Sequence, residues 1–409
     1  MRNSRVIWSL VLAISVVWAC VEAPPPAPID TATTLVTGNA TAIPSPARTS
    51  APTHLASPSP TPLRPLVALP VCMQPSQVQL SQLTLAFVAD WDGDGEIYTV
   101  QADGSGLVQI TDNATKEALP KWSPDGRQLA YIDDLYRTSR LVVSDADGSN
   151  ASIVAPDLEA TWEVVWSPTG RQVVFRNALF QSGDLIAVDV QTGEEVNLTR
   201  GAPFAPGRPS FSPEGGRMVF SVSMPDSAGP PSDRLFTVRA DGTELTELSF
   251  PAGDADYWPM WHPLRDEILF QGLVQGQGVG LYVATLDGSI TRLRAEPRYL
   301  VSFPSWSPDG TMIAYVALES EQSVELHVAT ETEDMDEVVL DSEMAGEEYL
   351  GINRFYWAPG SRQVAFFGSG GAYSADTIYV LDICEGQPRM VVEAVDPDSE
   401  LSWRPLPER

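Results

Sequence analysis

Short apolar runs recur along the chain from position 83 onward, and each follows the same marker. The marker is an aromatic residue with proline two positions later, as in residues 122–126 (WSPDG), which precede the apolar residues 129–131 (LAY). Successive markers are 44 to 51 residues apart. Their aromatic residues are Trp122, Trp166, Phe211, Trp261, Trp306, Trp357 and Trp403. A repeat of this length matches one four-stranded propeller blade, which typically takes about 40–50 residues.

Each repeat also contains the signals of antiparallel hairpins. Pro, Asp and Gly in residues 122–126 are typical turn residues, because proline presets φ and glycine accepts positive φ. A second strand such as residues 97–100 (IYTV) leads into Asp103 and Gly104, a strong hairpin signal. A short outer strand at residues 108–111 then completes four strands. The pattern predicts blades of four antiparallel strands.

The order of these signals resembles the TolB-type, WD-like β-propeller repeat. An Ile-Tyr strand, an Asp-Gly turn, Leu-Thr and then Pro-x-Trp-Ser-Pro-Asp-Gly follow one another over about residues 83–405. The resemblance implies an all-β propeller, and TolB itself is usually described with six blades. It implies no single function, because propellers of this class also occur as modules of peptidases and lyases.

The two ends of the repeat region complement each other. The first unit, at residues 85–87 (LAF), has no marker strand before it, and the last marker, Trp403, has no strand after it. Joining the two halves gives one composite blade beside six internal blades. We therefore predict a seven-bladed β-propeller closed by a blade shared between the N- and C-terminal ends, which removes open sheet edges.

The first 19 residues have the layout of a signal peptide. Arg2 and Arg5 precede an apolar run at residues 6–17, and Ala19 precedes Cys20. Residues 17–20 (VWAC) resemble the lipobox of bacterial lipoproteins, although Trp18 stands where that motif usually has a small residue. The resemblance implies cleavage before Cys20 and lipidation of its thiol. The alternative is an ordinary cleaved signal with an incidental cysteine.

The segment that follows has a different composition. Residues 20–70 are rich in Pro, Thr, Ser and Ala and have little charge, which predicts a disordered tether. The predicted organisation is therefore a lipoprotein signal peptide at 1–19, the tether at 20–70 and a TolB-like propeller at 71–409.

Charge narrows the partners. The chain has a formal net charge of −29, so it repels nucleic-acid phosphates and anionic lipid headgroups. We expect no nucleic-acid partner and contact with a membrane through the lipid anchor only. The predicted location is extracytoplasmic, anchored to a bacterial membrane on the periplasmic side or at the cell surface.

Two cysteines remain in the predicted propeller. Cys72 precedes the first strand and Cys384 lies in the last full blade, and ring closure brings these regions together. In an oxidising compartment we expect them to form a disulfide. The alternative is two unpaired thiols.

One loop has the beginning of a calcium motif. Asp90, Asp92, Asp94 and Glu96 place carboxylates at alternate positions around glycines, as hard cations require. Gln101 then stands where an EF-type loop needs a bidentate glutamate. The alternative interpretation is a polar hairpin turn, and calcium is the one cofactor that the sequence leaves open.

The sequence provides no catalytic set. A Gly-x-Ser-x-Gly motif is absent, and the three histidines, His54, His262 and His327, are expected in different parts of the chain. The metal-bound histidine cluster of propeller-type pectic lyases therefore has no counterpart in the sequence. We predict no catalytic residues.

The predicted binding face lies at the mouth of the central channel, just before each inner strand. Aromatic and arginine side chains there are typical interface anchors, although several could instead pack between blades. The residues assigned to this face are Glu117, Trp162, Arg208, Tyr257, Trp258, Tyr299, Phe303, Tyr349 and Arg354. We expect a monomeric, non-catalytic scaffold for an envelope or surface protein. The resemblance supports this, since the corresponding face of TolB receives a peptidoglycan-associated lipoprotein. The alternative is a carbohydrate-active or peptidase-related propeller with channel carboxylates or a separate catalytic subunit.

Overall fold

The computed structural model describes most of the repeat region. It covers residues 69–73, 78–91, 93–134, 139–158, 161, 163–179, 182–200, 206–224, 232–248, 255–274, 278–295, 300–318, 324–331, 335–341, 354–368, 376–396 and 400–407. Within these ranges no helix is long and apolar enough to span a membrane. The predicted signal peptide, Cys20 and almost all of the predicted tether lie outside the described residues.

The described residues form 28 strands in seven four-stranded antiparallel sheets, which confirms the predicted blade count. Two short 3-10 turns, Pro70–Met73 and Leu80–Gln82, precede the first strand. The composite blade 1 has the order β28-β1-β2-β3. Its strands are β28 (Ser402–Trp403), β1 (Thr84–Ala89), β2 (Glu96–Gln101) and β3 (Val108–Gln109).

Each of the other blades uses four consecutive strands. Blade 2 consists of β4 (Ala118–Trp122), β5 (Gln128–Asp133), β6 (Ser139–Asp145) and β7 (Ser152–Leu158). Blade 3 consists of β8 (Val164–Trp166), β9 (Gln172–Leu179), β10 (Ser182–Asp189) and β11 (Glu195–Asn197). Blade 4 consists of β12 (Ser210–Phe211), β13 (Arg217–Met224), β14 (Ser232–Arg239) and β15 (Thr246–Leu248). Blade 5 consists of β16 (Ala255–Trp261), β17 (Glu267–Val274), β18 (Gly278–Thr285) and β19 (Ile290–Ala295). Blade 6 consists of β20 (Leu300–Trp306), β21 (Ile313–Leu318), β22 (Val324–Ala329) and β23 (Asp336–Asp341). Blade 7 consists of β24 (Phe355–Trp357), β25 (Gln363–Gly368), β26 (Asp376–Asp382) and β27 (Gln387–Val395).

The marker turn forms as its chemistry dictates. Ser123 Oγ donates to Asp125 Oδ1 at 2.7 Å and accepts the backbone N–H of Gln128 at 2.9 Å. Gly126 has a φ of 67°, which a side chain would strain. The turn therefore fixes the register of β4 against β5, in which Trp122 lies opposite Leu129.

The composite blade closes the ring as predicted. Trp403 of β28 pairs with Leu85 of β1, and Arg404 N donates to Thr84 O at 2.8 Å. The Arg404 guanidinium lies 5.0 Å from the centre of the Trp122 ring in blade 2. Arg404 Nε also donates to Gly126 O at 2.7 Å, so the C-terminal strand is fastened to blade 2 as well as to blade 1.

The core lies between neighbouring blades. Large side chains of the second strands are fully buried there, and they include Phe87, Phe175, Phe220, Phe270 and Phe366. Marker tryptophans connect one blade to the next: Trp166 Nε1 donates to Lys121 O at 2.9 Å, and Trp403 Nε1 donates to Tyr356 O at 2.9 Å. Trp166 and Trp403 thus combine apolar burial with one directed hydrogen bond. Nε1 of Trp122, Trp261 and Trp306 is buried without a hydrogen-bond partner among the described residues.

The structure contains the predicted disulfide between Cys72 and Cys384, whose Cα atoms are 5.4 Å apart. Leu69 is fully buried in a cluster that contains Leu326 of blade 6 and Phe366 of blade 7, and both cysteines pack against that cluster. The segment before β1 therefore runs back over blade 7, where the disulfide fastens it. A disulfide is typical of an oxidising compartment, which indicates an extracytoplasmic location.

The first strand of each blade lies nearest the central axis. β4 contacts both β28 and β8, and β16 contacts both β12 and β20. Three of these strands contain a bulge immediately before the marker, in β4, β16 and β20. Leu119 and Trp258 occupy it with φ values of 54° and 49°. A bulge redirects a side chain, and here it affects the residues nearest the channel.

Candidate functional site

Three cationic side chains converge on one buried carboxylate, Glu400. Lys121 Nζ lies 2.6 Å from Glu400 Oε2, and Arg208 Nη2 and Arg354 Nη1 lie 2.8 and 3.0 Å from Oε1. Only 4% of the Glu400 side chain is exposed. These four residues come from blades 1, 2, 4 and 7, so the contacts cross the axis of the ring. We call Lys121, Glu163, Arg208, Arg354 and Glu400 the channel cluster.

Glu163 adds a second carboxylate to the cluster. Its Oε1 lies 2.9 Å from Arg208 Nε, so Arg208 joins Glu163 of blade 3 to Glu400. Arg176 of β9 lies beside this pair, with its backbone N–H donating to Glu163 O at 3.4 Å. Arg176 Nε is buried and has no hydrogen-bond partner among the described residues.

The pKa values of the two carboxyl groups of the channel cluster are shifted in opposite directions. Burial alone would raise the pKa of Glu400, but the charges of Lys121, Arg208 and Arg354 outweigh it and lower that pKa to about 2. Burial raises the pKa of Glu163, and Arg208 opposes the rise without cancelling it. The carboxylates Glu163 and Glu400 together raise the pKa of Arg208 despite its burial. Glu400 is therefore the permanent negative charge of the cluster.

Tyr356 of β24 lies within the field of the same charges. Burial raises the pKa of its hydroxyl, and Glu400 raises it further. Tyr356 Oη is buried without a hydrogen-bond partner among the described residues. It is a neutral donor at physiological pH and stands beside a group of cations.

The channel cluster follows a simple sequence rule. Four of its members, Glu163, Arg208, Arg354 and Glu400, stand three residues before a marker aromatic residue. Lys121 and Tyr356 stand one residue before a marker. The sequence analysis assigned Arg208 and Arg354 to the channel mouth, and the structure brings these two together. It missed Glu163, Glu400 and Lys121, although comparing the same offset at every marker would have found them.

The structure describes the other residues assigned to the channel mouth only in part. Trp258 is half-buried at the bulge of β16. The backbones of Tyr257 and Phe303 lie in β16 and β20, but their side chains are outside the described part. Trp162, Tyr299 and Tyr349 lie outside the described residues.

Glu117 is not part of the channel cluster, because it is fully buried beside Glu96. Asn113 Nδ2 and Thr111 Oγ1 donate to the two Glu117 oxygens at 2.8 and 3.2 Å. Asn113 N donates to Glu96 Oε1 at 2.8 Å. We call Glu96 and Glu117 the carboxyl pair.

Burial and the neighbouring Glu96 favour the protonated form of Glu117. Burial raises the pKa of Glu117 to about 9, with the hydrogen bond to Glu96 and its charge as further causes. Glu96 Oε2 has no donor among the other described groups, so a proton on Glu117 is the donor that completes it. Burial also raises the pKa of the nearby Tyr131 hydroxyl to about 12, helped by the charges of Glu117 and Asp133.

The carboxyl pair includes Glu96, one of the four residues of the predicted calcium loop. Glu96 faces Asn113 and Glu117, whereas Asp90 is exposed and Asp94 is half-buried. Asp92 lies outside the described residues. In the part of the chain that the structure describes, no group of three or more His, Cys, Asp or Glu side chains is arranged to hold a metal. The calcium interpretation stays a prediction.

Two histidines lie in neighbouring blades and have local partners. His262 Nδ1 accepts Leu264 N–H at 3.0 Å, and its Nε2 lies 3.1 Å from Gly310 O of blade 6. His327 of β22 lies between Glu325 and Asp336, at 2.9 and 3.1 Å. Burial alone would lower the pKa of His327, but Asp336 and Glu325 raise it. Both histidines connect strands and turns, and His54 lies outside the described residues.

The fold and the repeats define the chain as a seven-bladed β-propeller whose repeats are similar to those of the TolB propeller. Residues 81–265 match the family model described as the TolB beta propeller domain. No curated protein sequence matches the chain.

Solved structures support the fold. The β-propeller domain of the Trilobed protease from Pyrococcus furiosus is 13% identical, with a TM-score of 0.57, over 78% of this chain and 97% of that one. An oligogalacturonate lyase in complex with manganese is 15% identical, with a TM-score of 0.58, over 76% and 84%. A puromycin-hydrolyzing peptidase from Mycobacterium tuberculosis is 15% identical, with a TM-score of 0.55, over 80% of this chain and 56% of that one. Identities this low show the fold alone. The Pyrococcus propeller is described as having an open velcro topology, whereas here β28 pairs with β1.

Proposed function

We propose that this propeller is a non-catalytic, extracytoplasmic protein-binding scaffold whose docking face is the mouth of the channel. The observation that carries the proposal is the channel cluster, in which Arg208 and Arg354 meet near the axis and remain partly open to solvent. Arginine is among the most frequent anchors of protein interfaces. Half-buried Trp258, at the same offset from its marker as Arg208 and Arg354, adds an aromatic anchor.

The proposal includes a lipid anchor at Cys20. The motif at residues 17–20 and the extended composition of residues 20–70 support a propeller held away from a membrane. Mass spectrometry of the mature N-terminus tests this part. We expect a diacylated Cys20 as the first residue, and a free unmodified thiol would contradict it.

Co-purification tests the scaffold. Full-length protein is used to capture partners from membrane extract, and Trp258→Ala and Arg354→Ala are compared with it. Both variants should lose one specific partner and still show a cooperative unfolding transition. Arg171→Ala is the matched control, since the Arg171 side chain is 73% exposed and its one ion pair among the described residues is with Asp189 of its own blade. A partner lost equally from the control, or from neither channel variant, would contradict the proposal.

A second candidate function is a carbohydrate-active or peptidase-related propeller. The observation that favours it is the divergence of the two channel carboxyls, since Glu163 tends toward the protonated form and Glu400 is held ionised. Such a divergence is typical of acid–base pairs. Incubation of the purified protein with oligogalacturonates and peptides tests it. Turnover that is abolished by Glu163→Gln would favour this candidate over the scaffold.

A further inference from the structure

Among the described residues, the channel cluster and the neighbouring Arg176 contain more positive than negative charge. Lys121, Arg176, Arg208 and Arg354 carry four positive charges, and Glu163 and Glu400 carry at most two negative ones. Burial raises the pKa of Glu163, which increases the imbalance. The whole chain has a formal net charge of −29, so this excess is local and opposite in sign to the rest of the protein. A buried or half-buried cation without a matching anion is costly.

The cations are the accessible side of the channel cluster. The exposed fractions of the Lys121, Arg208 and Arg354 side chains are 21%, 33% and 43%, against 4% for Glu400. Arg354 contacts Glu400 through Nη1 alone among the described contacts, which leaves the rest of its planar guanidinium for another acceptor. Guanidinium groups match carboxylates, with two parallel N–H donors for two oxygens.

Two more donors lie beside the cluster. Tyr356 Oη and Arg176 Nε are both buried and both lack hydrogen-bond partners among the described residues. Buried donors are normally satisfied, and an unsatisfied one calls for an explanation. An anion among these groups would satisfy donors and balance charge together.

From this geometry we infer that the channel binds a carboxylate group presented by a protein segment, with Arg354 as its main ligand and Arg176 and Tyr356 as supporting donors. The inference rests on the proposed function, because it names the chemistry of the partner at the channel mouth. Neither the repeat family nor the fold assigns these residues to a ligand.

A single carboxylate on a protein fits this site better than an acidic polysaccharide does. The excess in the channel is about two charges, and the rest of the molecule is strongly acidic. A polyanion would place its remaining charges against that acidic surface, which repels them. A protein segment can instead present one aspartate or glutamate among neutral or basic residues.

Calorimetric titration of the full-length protein tests the inference. The probe is a capped tripeptide with a central aspartate, and the matched probe has asparagine at that position. We expect binding of the aspartate probe only. Arg354→Gln should weaken it by about tenfold or more, because a charge-assisted contact is lost. Glu400 keeps Lys121 and Arg208 in this variant, so the fold is retained. Arg171→Gln should bind as the wild type does.

A second variant should act in the opposite direction. Glu163→Gln removes a negative charge from beside Arg208 but keeps an oxygen that can accept from Arg208 Nε, so it should tighten the binding of the aspartate probe. A purely structural role of these residues would not give opposite signs. Equal binding of both probes, or unchanged affinity in both variants, would overturn the inference.

Three further outcomes are informative, and the last two separate the inference from the proposed function. Tighter binding of digalacturonate than of the aspartate probe would overturn the assignment to a protein segment. Loss of a specific partner from Trp258→Ala without any carboxylate binding would leave the scaffold standing and overturn the carboxylate site. Carboxylate binding that follows the expected variants, with no partner that depends on Trp258, would support the site and remove the scaffold.

Discussion

Two buried glutamates in this propeller have opposite protonation, and their neighbours explain the difference. Glu400 lies among three cations, which lower its pKa to about 2. Glu117 lies beside another carboxyl group and two neutral donors, Asn113 and Thr111, and its pKa is raised to about 9. Both side chains stand a few residues before a marker tryptophan. Residue type and burial are shared, so the partners alone decide the charge.

The comparison shows that opposite charges stabilise the channel cluster, whereas a proton on Glu117 stabilises the carboxyl pair. An ionised carboxylate in a buried cluster stabilises the fold only while its cations are present, and the reverse also holds. A protonated carboxyl behaves as a neutral donor and needs only hydrogen-bond partners. The two regions should therefore respond differently to amide substitution and to pH.

The largest expected effect is on the channel cluster. Glu400→Gln should lower the free energy of unfolding by about 3 kcal/mol, because three cations lose their common anion. Urea unfolding followed by tryptophan fluorescence measures it. Glu385→Gln is the matched control; the Glu385 side chain is 70% exposed, and we expect a change within about 0.5 kcal/mol. A loss below about 1 kcal/mol in Glu400→Gln would mean that the cluster contributes little to stability.

The next effect is a pH dependence of the carboxyl pair. The pKa of Glu117 is about 9 in the folded protein against an ordinary value of 4.5, so the folded state keeps a proton that the unfolded chain releases. The stability that Glu117 contributes should be fully present below about pH 4.5 and be lost as pH rises toward about 9. Glu117→Gln cannot release that proton and should lack this decline.

The measurement is the difference in urea midpoint between wild type and Glu117→Gln across that pH window. Subtracting the variant removes the contributions of groups common to both proteins, including His327. A constant difference would contradict a raised pKa of Glu117.

Asn113→Ala should have a smaller effect on the same region. It removes the donor to Glu117 Oε1 and the acceptor of Thr115 N, at 2.8 and 2.7 Å, so we expect a loss of about 1–2 kcal/mol. The Asn113 hydrogen bond also lowers the pKa of Glu117, so its removal should move the alkaline decline to higher pH. A double-mutant cycle with Glu117→Gln measures the coupling, and strict additivity would show that the two groups do not interact.

The smallest effect is expected in blade 3, which has the same turn without the second carboxyl. Asp184 accepts Asn197 Nδ2 at 2.8 Å and Thr199 Oγ1 at 2.9 Å, and Thr199 Oγ1 accepts Leu185 N. Asp184→Asn should lower the free energy of unfolding by about 1 kcal/mol and leave its decline at alkaline pH unchanged. Asp103→Asn, on an exposed turn, serves as its control. An alkaline decline that disappears in Asp184→Asn would show that the second carboxyl is not what distinguishes the carboxyl pair.

Much of the architecture could be predicted because short sequence motifs determine it and these motifs recur along the chain. The marker turn around Ser123 and Gly126 depends on residues within one turn, and its period gave the blade length. The missing first strand before Leu85 and the surplus strand at Trp403 indicated the composite blade, which β28 confirms. The Cys72–Cys384 bond followed from ring closure once the blade count was known.

The site could be predicted only in part. Arg208 and Arg354 were assigned to the mouth from their type and position, but Glu117 was assigned there as well and is instead buried beside Glu96. The period of the repeat placed all three near an inner strand. It did not show which of them would reach the axis, since that depends on the bulges and on the blades opposite.

By itself the sequence determined the all-β repeat, the seven blades and the closure, because turn chemistry acts over a few residues and the repeats that it marks can be counted along the chain. The disulfide was predicted from that closure. Only the tertiary structure decided which charges meet. Glu400 is 192 residues from Arg208 and 46 from Arg354, yet all three lie within hydrogen-bond distance because closing the ring brings the starts of distant inner strands to one axis. Protonation then follows from those partners, so a glutamate that looks the same in sequence is ionised at Glu400 and protonated at Glu117.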